Sequence, residues 1–123
     1  MQHSEEFLAL AEDARARVNE ISVEETRARI NAGGATLIDV REDGEWNEAH
    51  AEGAIHLGRG VIERDIVQQI PEKDAELILY CGGGFRSALA ADNLQKMGYT
   101  NVFSMIGGWK AWKDSGAPID ENN

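Results

Sequence analysis

Hydrophobic residues along this chain fall into two alternating patterns. Short apolar runs, clearest at Leu37-Ile38 and at 77–80, are typical of strands buried on both faces. Between these runs, apolar residues recur every three or four positions, which predicts helices. No Asn-Gly or Asp-Gly pair separates two strand runs, so we expect no hairpins between them. The pattern predicts an α/β fold, with a mostly parallel sheet covered by helices on both faces.

The same patterns give approximate boundaries for each element. The predicted helices cover 5–18, 23–32, 43–50, 61–70 and 87–97, with a last helix after Gly107-Gly108. The predicted strands cover 36–40, 54–56 and 77–80, with one more near 101–103. We divide the chain into a helical extension (1–18), a main domain (19–119) and a tail (120–123) that is expected to fray. The extension is expected to cover its own domain rather than to bind a partner.

Composition narrows the possible partners and the compartment. The 123 residues suit one domain, and 22 acidic against 12 basic residues give a formal net charge of −10. This charge argues against nucleic acid or anionic membrane as a partner. The N-terminal residues resemble no targeting signal, and no apolar run approaches the length of a membrane span. A single cysteine cannot form an internal disulfide. We therefore expect a cytoplasmic protein in a reducing compartment.

The only cysteine lies in a loop whose composition indicates chemistry. Cys81 follows the apolar run 77–80 and precedes Gly82-Gly83-Gly84, with Phe85, Arg86 and Ser87 leading into a helix. Three glycines allow the loop amides to turn toward one point, and the positive end of the helix adds to their field. A thiol at that point should ionise more readily than a free cysteine, and the thiolate is the nucleophilic form. The loop is therefore predicted to be a reactive site.

Right-handed crossovers would bring other polar residues to the same edge of the sheet. Arg41, Arg59 and 104–107 all follow predicted strands or lie in loops at that edge. Arg59 is a candidate for the rim of the pocket. Asp39, at a strand end, is expected to accept hydrogen bonds from loop amides, and Arg41 to pair with Glu45 or another nearby acid and order the first loop.

Three blocks of the sequence resemble the rhodanese sulfurtransferase family in its single-domain form, over nearly all of 19–119. The blocks are Leu37-Ile38-Asp39-Val40-Arg41-Glu42 running on to His50 and Gly53-Ala54-Ile55, Cys81-x-x-Gly84-x-Arg86-Ser87, and Gly107-Gly108-Trp109-x-x-Trp112. In the family, the first and last blocks are structural signatures, and the middle block is the loop that forms a persulfide.

The resemblance implies a five-stranded parallel sheet and a thiosulfate sulfurtransferase. Cys81 would accept a sulfane sulfur from a donor such as thiosulfate and pass it to cyanide or a thiol. The amides of 82–86 would hold the persulfide, with Gly82, Gly83, Gly84, Phe85, Arg86 and Ser87 as the substrate-binding residues. Arg86 could contact the donor's sulfonate or brace neighbouring carbonyls. No metal or organic cofactor is implied, and no Cys or His cluster has metal-ligand spacing.

Two other functions stay open at this point. The domain could carry persulfide to a partner protein, with thiosulfate turnover incidental. It could also be a phosphatase or arsenate reductase on the same scaffold. Four residues separate Cys81 from Arg86, whereas the phosphatases that this fold resembles have five. The shorter ring of amides suits a single persulfide sulfur better than a tetrahedral phosphate.

Overall fold

A computed structural model describes residues 3–121 of the chain. Its helices are α1 (Glu5–Arg15), α2 (Val23–Ala32), α3 (Asp43–Glu48), α4 (Ile62–Gln69), α5 (Phe85–Lys96) and α6 (Gly108–Asp114). Its strands are β1 (Asn19–Ile21), β2 (Ala35–Asp39), β3 (His50–Ala51), β4 (Ile55–His56), β5 (Glu76–Tyr80), β6 (Val102–Met105) and β7 (Ile119–Asp120). Within 3–121, none of these helices has the length and apolar composition that a bilayer span requires.

Five strands form one parallel sheet in the order β1-β6-β5-β2-β4. The central strand β5 pairs with β2 on one side and β6 on the other. Because all five strands run the same way, their carboxyl ends meet at one edge, where open α/β sheets bind their ligands. The prediction of a parallel five-stranded α/β fold is confirmed.

The two faces of the sheet support separate hydrophobic cores. In β5, Leu77 and Leu79 pack toward α4 and α5, whereas Ile78 and Tyr80 pack toward α2 and α6. All four side chains are fully buried, and burying an aliphatic side chain of this size contributes about 1.5–3 kcal/mol. The helices therefore lie on both faces, as the uninterrupted apolar run of β5 predicted.

Helix α1 forms an additional layer that packs against α5. The helix begins at Ser4, whose hydroxyl accepts a hydrogen bond of 3.1 Å from the Phe7 amide. Ala11 and Ala14 are buried, and their small side chains allow the two helices to approach closely. Arg17, just beyond the helix, forms a 2.7 Å ion pair with Asp92 of α5. The prediction that this helix covers its own domain is confirmed, although the helix ends at Arg15 rather than residue 18.

A two-stranded antiparallel sheet has no counterpart in the sequence prediction. His50 of β3 pairs with Asp120 of β7, and Ala51 pairs with Ile119. The expected fraying of 120–123 is therefore wrong for Asp120, and 122–123 lie outside the described residues. Strands of two residues have no detectable period, so their pairing depends on where the chain leaves α6, which local patterns do not reveal.

Candidate active site

Cys81 lies where the central strand ends at the ligand-binding edge of the sheet. It directly follows β5 and continues the face of Leu77 and Leu79, so its side chain belongs to the core cluster beneath α5. Only 1% of Cys81 is exposed. Cys81 is also one of the residues that line a cavity, so it lies between the hydrophobic core and that cavity.

Two polar groups contact the sulfur directly. The Gly84 amide donates a hydrogen bond of 3.1 Å to Cys81 Sγ, and Ser87 Oγ lies 3.5 Å from Sγ. Gly84 has a φ of 103°, a left-handed conformation that turns its amide toward Sγ and begins α5. The inward orientation is thus observed for the Gly84 amide and stays a prediction for the other amides of 82–86.

Ser87 is itself held by a second buried hydroxyl. Ser87 Oγ and Ser104 Oγ lie 2.8 Å apart, and both residues are fully buried. Ser104 belongs to β6, so the strand next to β5 supports the loop from the side. The three atoms, Sγ and two hydroxyl oxygens, form a chain in which each hydroxyl can donate toward the sulfur when the sulfur is ionised.

Helix α6 holds the outer side of the loop. The Trp109 amide donates to the Cys81 carbonyl at 2.6 Å, and the Lys110 amide donates to the Gly82 carbonyl at 3.3 Å. Any Cβ at Gly108, where φ is 53°, would collide with the Cys81 carbonyl. The loop carbonyls therefore point toward α6, while the Gly84 amide points toward the sulfur.

The cavity above the thiol has a volume of about 630 Å³. Its described lining comes from three parts of the chain: the N-terminal segment with the first turn of α1 (His3 and Phe7), the start of α3 (Glu42 and Glu45), and the loop with the first turn of α5 (81–83 and 85–86). Phe85 and Arg86 belong to α5, which begins two residues earlier than predicted. The cavity therefore lies where these three segments meet.

Arg86 lies at the cavity wall and is bound to a carboxylate. Its guanidinium donates to Glu45 at 3.0 and 3.4 Å. Burial favours the neutral form of Glu45, but the hydrogen bonds from Arg86 and from the Glu42 amide, with the Arg86 charge, outweigh burial and hold the pKa below its ordinary value. Burial acts against the charge of Arg86 as well, yet Glu45 raises its pKa. Contact between Arg86 and a donor's sulfonate stays a prediction.

A buried ion pair stabilises the neighbouring loop after β2. Arg41 donates to Asp39 from its side chain at 2.8 Å and from its amide at 2.9 Å. Tyr80 donates to the same carboxylate at 2.6 Å, and burial together with the Asp39 charge strongly raises the Tyr80 pKa. Arg41 also donates to the Ala49 carbonyl at 2.7 Å. The expected role of Asp39 is confirmed; the acid that pairs with Arg41 is Asp39, because Arg86 occupies Glu45.

Comparison with known proteins identifies this arrangement. The family model for the rhodanese-like domain matches residues 22–115, which is most of the chain. The chain belongs to the rhodanese-like domain family.

Relatives of this rhodanese-like domain have been named for several functions. Thiosulfate sulfurtransferase GlpE of Haemophilus influenzae is 36% identical over 87 residues, which cover 71% of this chain and 81% of the relative. A candidate sulfur carrier protein of Bacillus subtilis, YrkF, is 30% identical over 96 residues, which cover 77% of this chain and 51% of that protein. A Rhodopseudomonas palustris structure described as of unknown function and a possible tyrosine phosphatase has a TM-score of 0.81 at 28% identity and covers 98% of both chains.

The structure leaves one predicted site residue outside the described cavity lining. Arg59 is not among the described residues that line the cavity of this rhodanese-like domain. Its guanidinium lies 3.5 Å from Glu63, one turn further along α4. The rim position of Arg59 therefore stays a prediction, and the contact that the structure gives this residue is the ion pair with Glu63.

Four described lining residues were absent from the predicted site: Glu42 and Glu45 at the start of α3, and His3 and Phe7. His3 and Phe7 come from the extension before the matched family domain. Phe7 belonged to an apolar helical stripe, which predicted burial but not the surface it would meet. Phe7 is only partly buried, and this incomplete burial of a large aromatic residue marks it as a wall residue. That signal requires coordinates.

Proposed function

We propose that this rhodanese-like domain is a thiosulfate-type sulfurtransferase in which Cys81 carries the transferred sulfur. The observation that supports this most directly is the hydrogen bond of 3.1 Å from the Gly84 amide to Cys81 Sγ, together with a cavity that Cys81 helps to line. A buried thiol without chemistry would need neither the amide nor the opening. The similarity to GlpE agrees with this activity.

The first half-reaction loads the cysteine. The Cys81 thiolate attacks the outer sulfur of thiosulfate and forms a new S–S bond. The original S–S bond of thiosulfate breaks, and its electron pair leaves with sulfite. The product is a persulfide anion on Cys81, so the reaction needs no external oxidant or reductant.

The same loop would stabilise the persulfide. Its terminal sulfur carries the negative charge and would lie above Sγ, at the floor of the cavity, where the remaining loop amides and the N-terminus of α5 provide positive potential. Ser87 and Gly84 would keep their polar contacts with Sγ. Sγ regains the negative charge when the outer sulfur departs. In the second half-reaction, cyanide or a thiolate takes the outer sulfur and Cys81 becomes a thiolate again.

The pairing of Arg86 argues against the phosphatase alternative. A phosphoryl group needs free positive charge around its oxygens, but Glu45 holds both terminal nitrogens of Arg86. The four-residue spacing between Cys81 and Arg86 is also shorter than the five residues of the related phosphatases. The similarity to the possible tyrosine phosphatase extends over nearly the whole chain, so this alternative requires a direct test with an aryl phosphate.

A persulfide carrier is the second function that an observation favours. YrkF, which is similar over 77% of this chain, is named as a candidate sulfur carrier. In that case the acceptor would be a thiol of a partner protein, and turnover with thiosulfate would be slow.

We place the protein in the cytoplasm, where reducing conditions keep the single cysteine available as a thiol.

One experiment tests the proposed function. The purified, reduced protein is incubated with thiosulfate and its intact mass is measured, with the Cys81→Ser variant as the control. We expect the wild type to gain the mass of one sulfur atom and to lose it on addition of cyanide, while the variant stays unchanged. A wild type that gains no sulfur while its thiol reacts with iodoacetamide would overturn the proposal. Hydrolysis of an aryl phosphate that depends on Cys81 would favour the phosphatase.

A further inference from the structure

Three aromatic rings form one wall of the cavity. The rings of His3 and Phe7 are 4.9 Å apart, and both meet Phe85 edge-on, at 5.1 and 6.1 Å between ring centroids. His3 precedes α1, Phe7 lies in its first turn, and Phe85 begins α5 immediately after the Cys81 loop. The extension therefore places two rings beside the reactive loop, and the loop provides the third.

Ion pairs fix α1 in this position. The Arg15 guanidinium lies over the Phe85 ring, 4.8 Å from its centroid, and also pairs with Glu20 at 3.2 Å. At the end of the helix, Arg17 pairs with the buried Asp92 of α5 at 2.7 Å. These contacts hold the aromatic wall against the loop, so the wall is part of the folded site and not a loose terminus.

The opposite wall is acidic. Glu42 and Glu45 line the cavity, and the two residues are linked by a reciprocal capping box at the start of α3. Among the described Glu, Asp, Lys and Arg side chains of the lining, there are two carboxylates and one guanidinium. That guanidinium is bound by Glu45. The whole chain carries a net charge of −10. The Glu42 and Glu45 carboxylates would therefore disfavour an acceptor whose arm carries a negative charge.

The size of the cavity also exceeds what a small anion fills. Its volume of about 630 Å³ lies within the ~300–1,000 Å³ of pockets that hold organic ligands. An apolar group placed against Phe7 and Phe85 would gain aromatic contact as well as burial, and each such ring pair contributes about 0.5–1.5 kcal/mol. Size, apolar wall and charge all favour an organic acceptor with an uncharged arm.

From these features we infer that the acceptor is a thiol with an apolar, aromatic arm and no negative charge on that arm. The inference rests on the proposed function and names the substrate class for its second half-reaction. The arm lies against Phe7 and Phe85, and the Glu42 and Glu45 carboxylates repel acceptors with anionic arms. Phe7, Phe85 and Glu42 are thus specificity-determining residues.

The transfer step balances without any other reactant. The acceptor thiolate attacks the outer sulfur of the Cys81 persulfide, and a new S–S bond forms between acceptor and sulfane sulfur. The bond between that sulfur and Cys81 Sγ breaks, and its electron pair returns to Sγ. The acceptor leaves as an organic persulfide anion, and Cys81 is again a thiolate stabilised by the Gly84 amide.

Three thiols that differ in the arm next to the thiol group test the inference. Protein loaded with sulfur at Cys81 is mixed with 2-phenylethanethiol, 2-mercaptoethanol or 3-mercaptopropionate, and loss of the sulfur is followed by mass. Each rate constant is divided by that of the same thiol with a small-molecule persulfide, which removes differences in intrinsic nucleophilicity. We expect the aromatic thiol to exceed 2-mercaptoethanol by about tenfold, and the carboxylate-bearing thiol to fall below it by about threefold.

Matched variants assign the selectivity to individual side chains. Phe7→Ala should remove the advantage of the aromatic thiol, whereas Leu10→Ala, on the same helix at a residue that is 57% exposed, should keep it. Glu42→Gln should bring 3-mercaptopropionate close to 2-mercaptoethanol, and Glu48→Gln, on the exposed side of α3, should not. If Phe7→Ala lowers the melting temperature markedly, Phe7→Leu keeps an apolar side chain without the ring and should still lose most of the advantage.

The outcomes separate this inference from the proposed function. If no sulfur can be loaded on Cys81, the proposed function fails. If loaded protein transfers sulfur at equal normalised rates to all three thiols, or if Phe7→Leu and Phe7→Ala both keep wild-type selectivity, the inference is overturned while the sulfurtransferase stands. Faster transfer to 3-mercaptopropionate than to 2-phenylethanethiol would also overturn it.

Discussion

Arg86 and Glu45 are joined across the cavity by hydrogen bonds of 3.0 and 3.4 Å, although 41 residues separate them in the sequence. The pair links the first turn of α5, which follows the reactive loop, to the helix after β2. It also pairs the guanidinium of the described cavity lining with a carboxylate, so the charge that an anionic donor would use is already occupied.

Removing the Glu45 charge should improve the use of an anionic donor. Glu45→Gln keeps an oxygen that can accept the Glu42 amide bond but releases Arg86 from its ion pair. We expect KM for thiosulfate to fall about fivefold, because one freed charge near the anion is worth roughly 1 kcal/mol, with a smaller change in kcat. Steady-state kinetics at low ionic strength measure this. Glu48→Gln is the control, and an unchanged KM in Glu45→Gln would show that Arg86 does not meet the donor.

Removing the Ser87 hydroxyl should make the thiol less reactive. When Cys81 is ionised, Ser87 can donate to Sγ while it accepts from Ser104, which lies 2.8 Å away. Hydrogen bonds to charged groups contribute about 1.5–3 kcal/mol, so Ser87→Ala should slow alkylation of Cys81 by iodoacetamide at pH 7 about tenfold or more. Ser104→Ala, one step further from the sulfur, should slow it less. Equal rates in all three proteins would exclude a role for the hydroxyl chain.

The packing of α6 against the loop can be tested at Gly108. Any side chain there would collide with the Cys81 carbonyl. Gly108→Ala should therefore lower the free energy of unfolding by about 2–4 kcal/mol and slow alkylation of Cys81, because the loop must shift. Gly116→Ala is the matched control: its φ is 78°, but its Cβ position is open, so we expect a loss of about 1 kcal/mol and a normal thiol. Urea titration and the alkylation rate provide both readouts.

The buried pair behind the site should be important for folding. Asp39 is fully buried and Arg41 is 3% exposed, so Asp39→Asn would leave a guanidinium inside the protein without its counter-charge. We expect the free energy of unfolding to fall by about 3–5 kcal/mol. Glu12→Gln removes the exposed partner of Arg15 and should cost far less. Comparable losses in the two variants would mean that the Asp39–Arg41 pair is not buried in solution.

Local patterns were sufficient to predict the loop and four strands of the sheet, whereas the number of five strands came from the resemblance to the family. Cys81, the glycines and Arg86 are adjacent in the sequence, and the apolar run of β5 places them at the end of a buried strand, so no long-range information was needed. The short strands β3 and β7 were harder to predict, because each has two residues and so shows no detectable period. Their antiparallel pairing brings together His50 and Asp120, which no local pattern connects.

The walls of the cavity depend on contacts between distant segments. Arg41 was expected to pair with Glu45 or another nearby acid and pairs with Asp39, two residues earlier. Glu45 is bound instead by Arg86, which is distant in the sequence. Phe7 reaches the loop because α1 packs along α5, and an amphipathic stripe specifies which face is buried without specifying its neighbour. Side-chain partners of this kind follow from tertiary geometry.

Docking of α1 should depend on acid pH through Asp92. The hydrogen bonds from Arg17 lower the pKa of Asp92 below its ordinary value, with Asp13 and Lys96 as the other charged groups nearby. A carboxyl group whose pKa is depressed in the folded state stabilises it above the unfolded pKa of about 3.9, and this contribution is lost as the pH falls through the folded pKa. Asp92→Asn should therefore be less stable than wild type at pH 7, with the difference shrinking below about pH 4. Thermal melts between pH 2.5 and pH 7 measure this, with Asp13→Asn, which removes the exposed partner of Arg17, as the control. If wild type and Asp92→Asn lose stability in parallel as the pH falls from 7 to 2.5, Asp92 does not attach α1 to the domain.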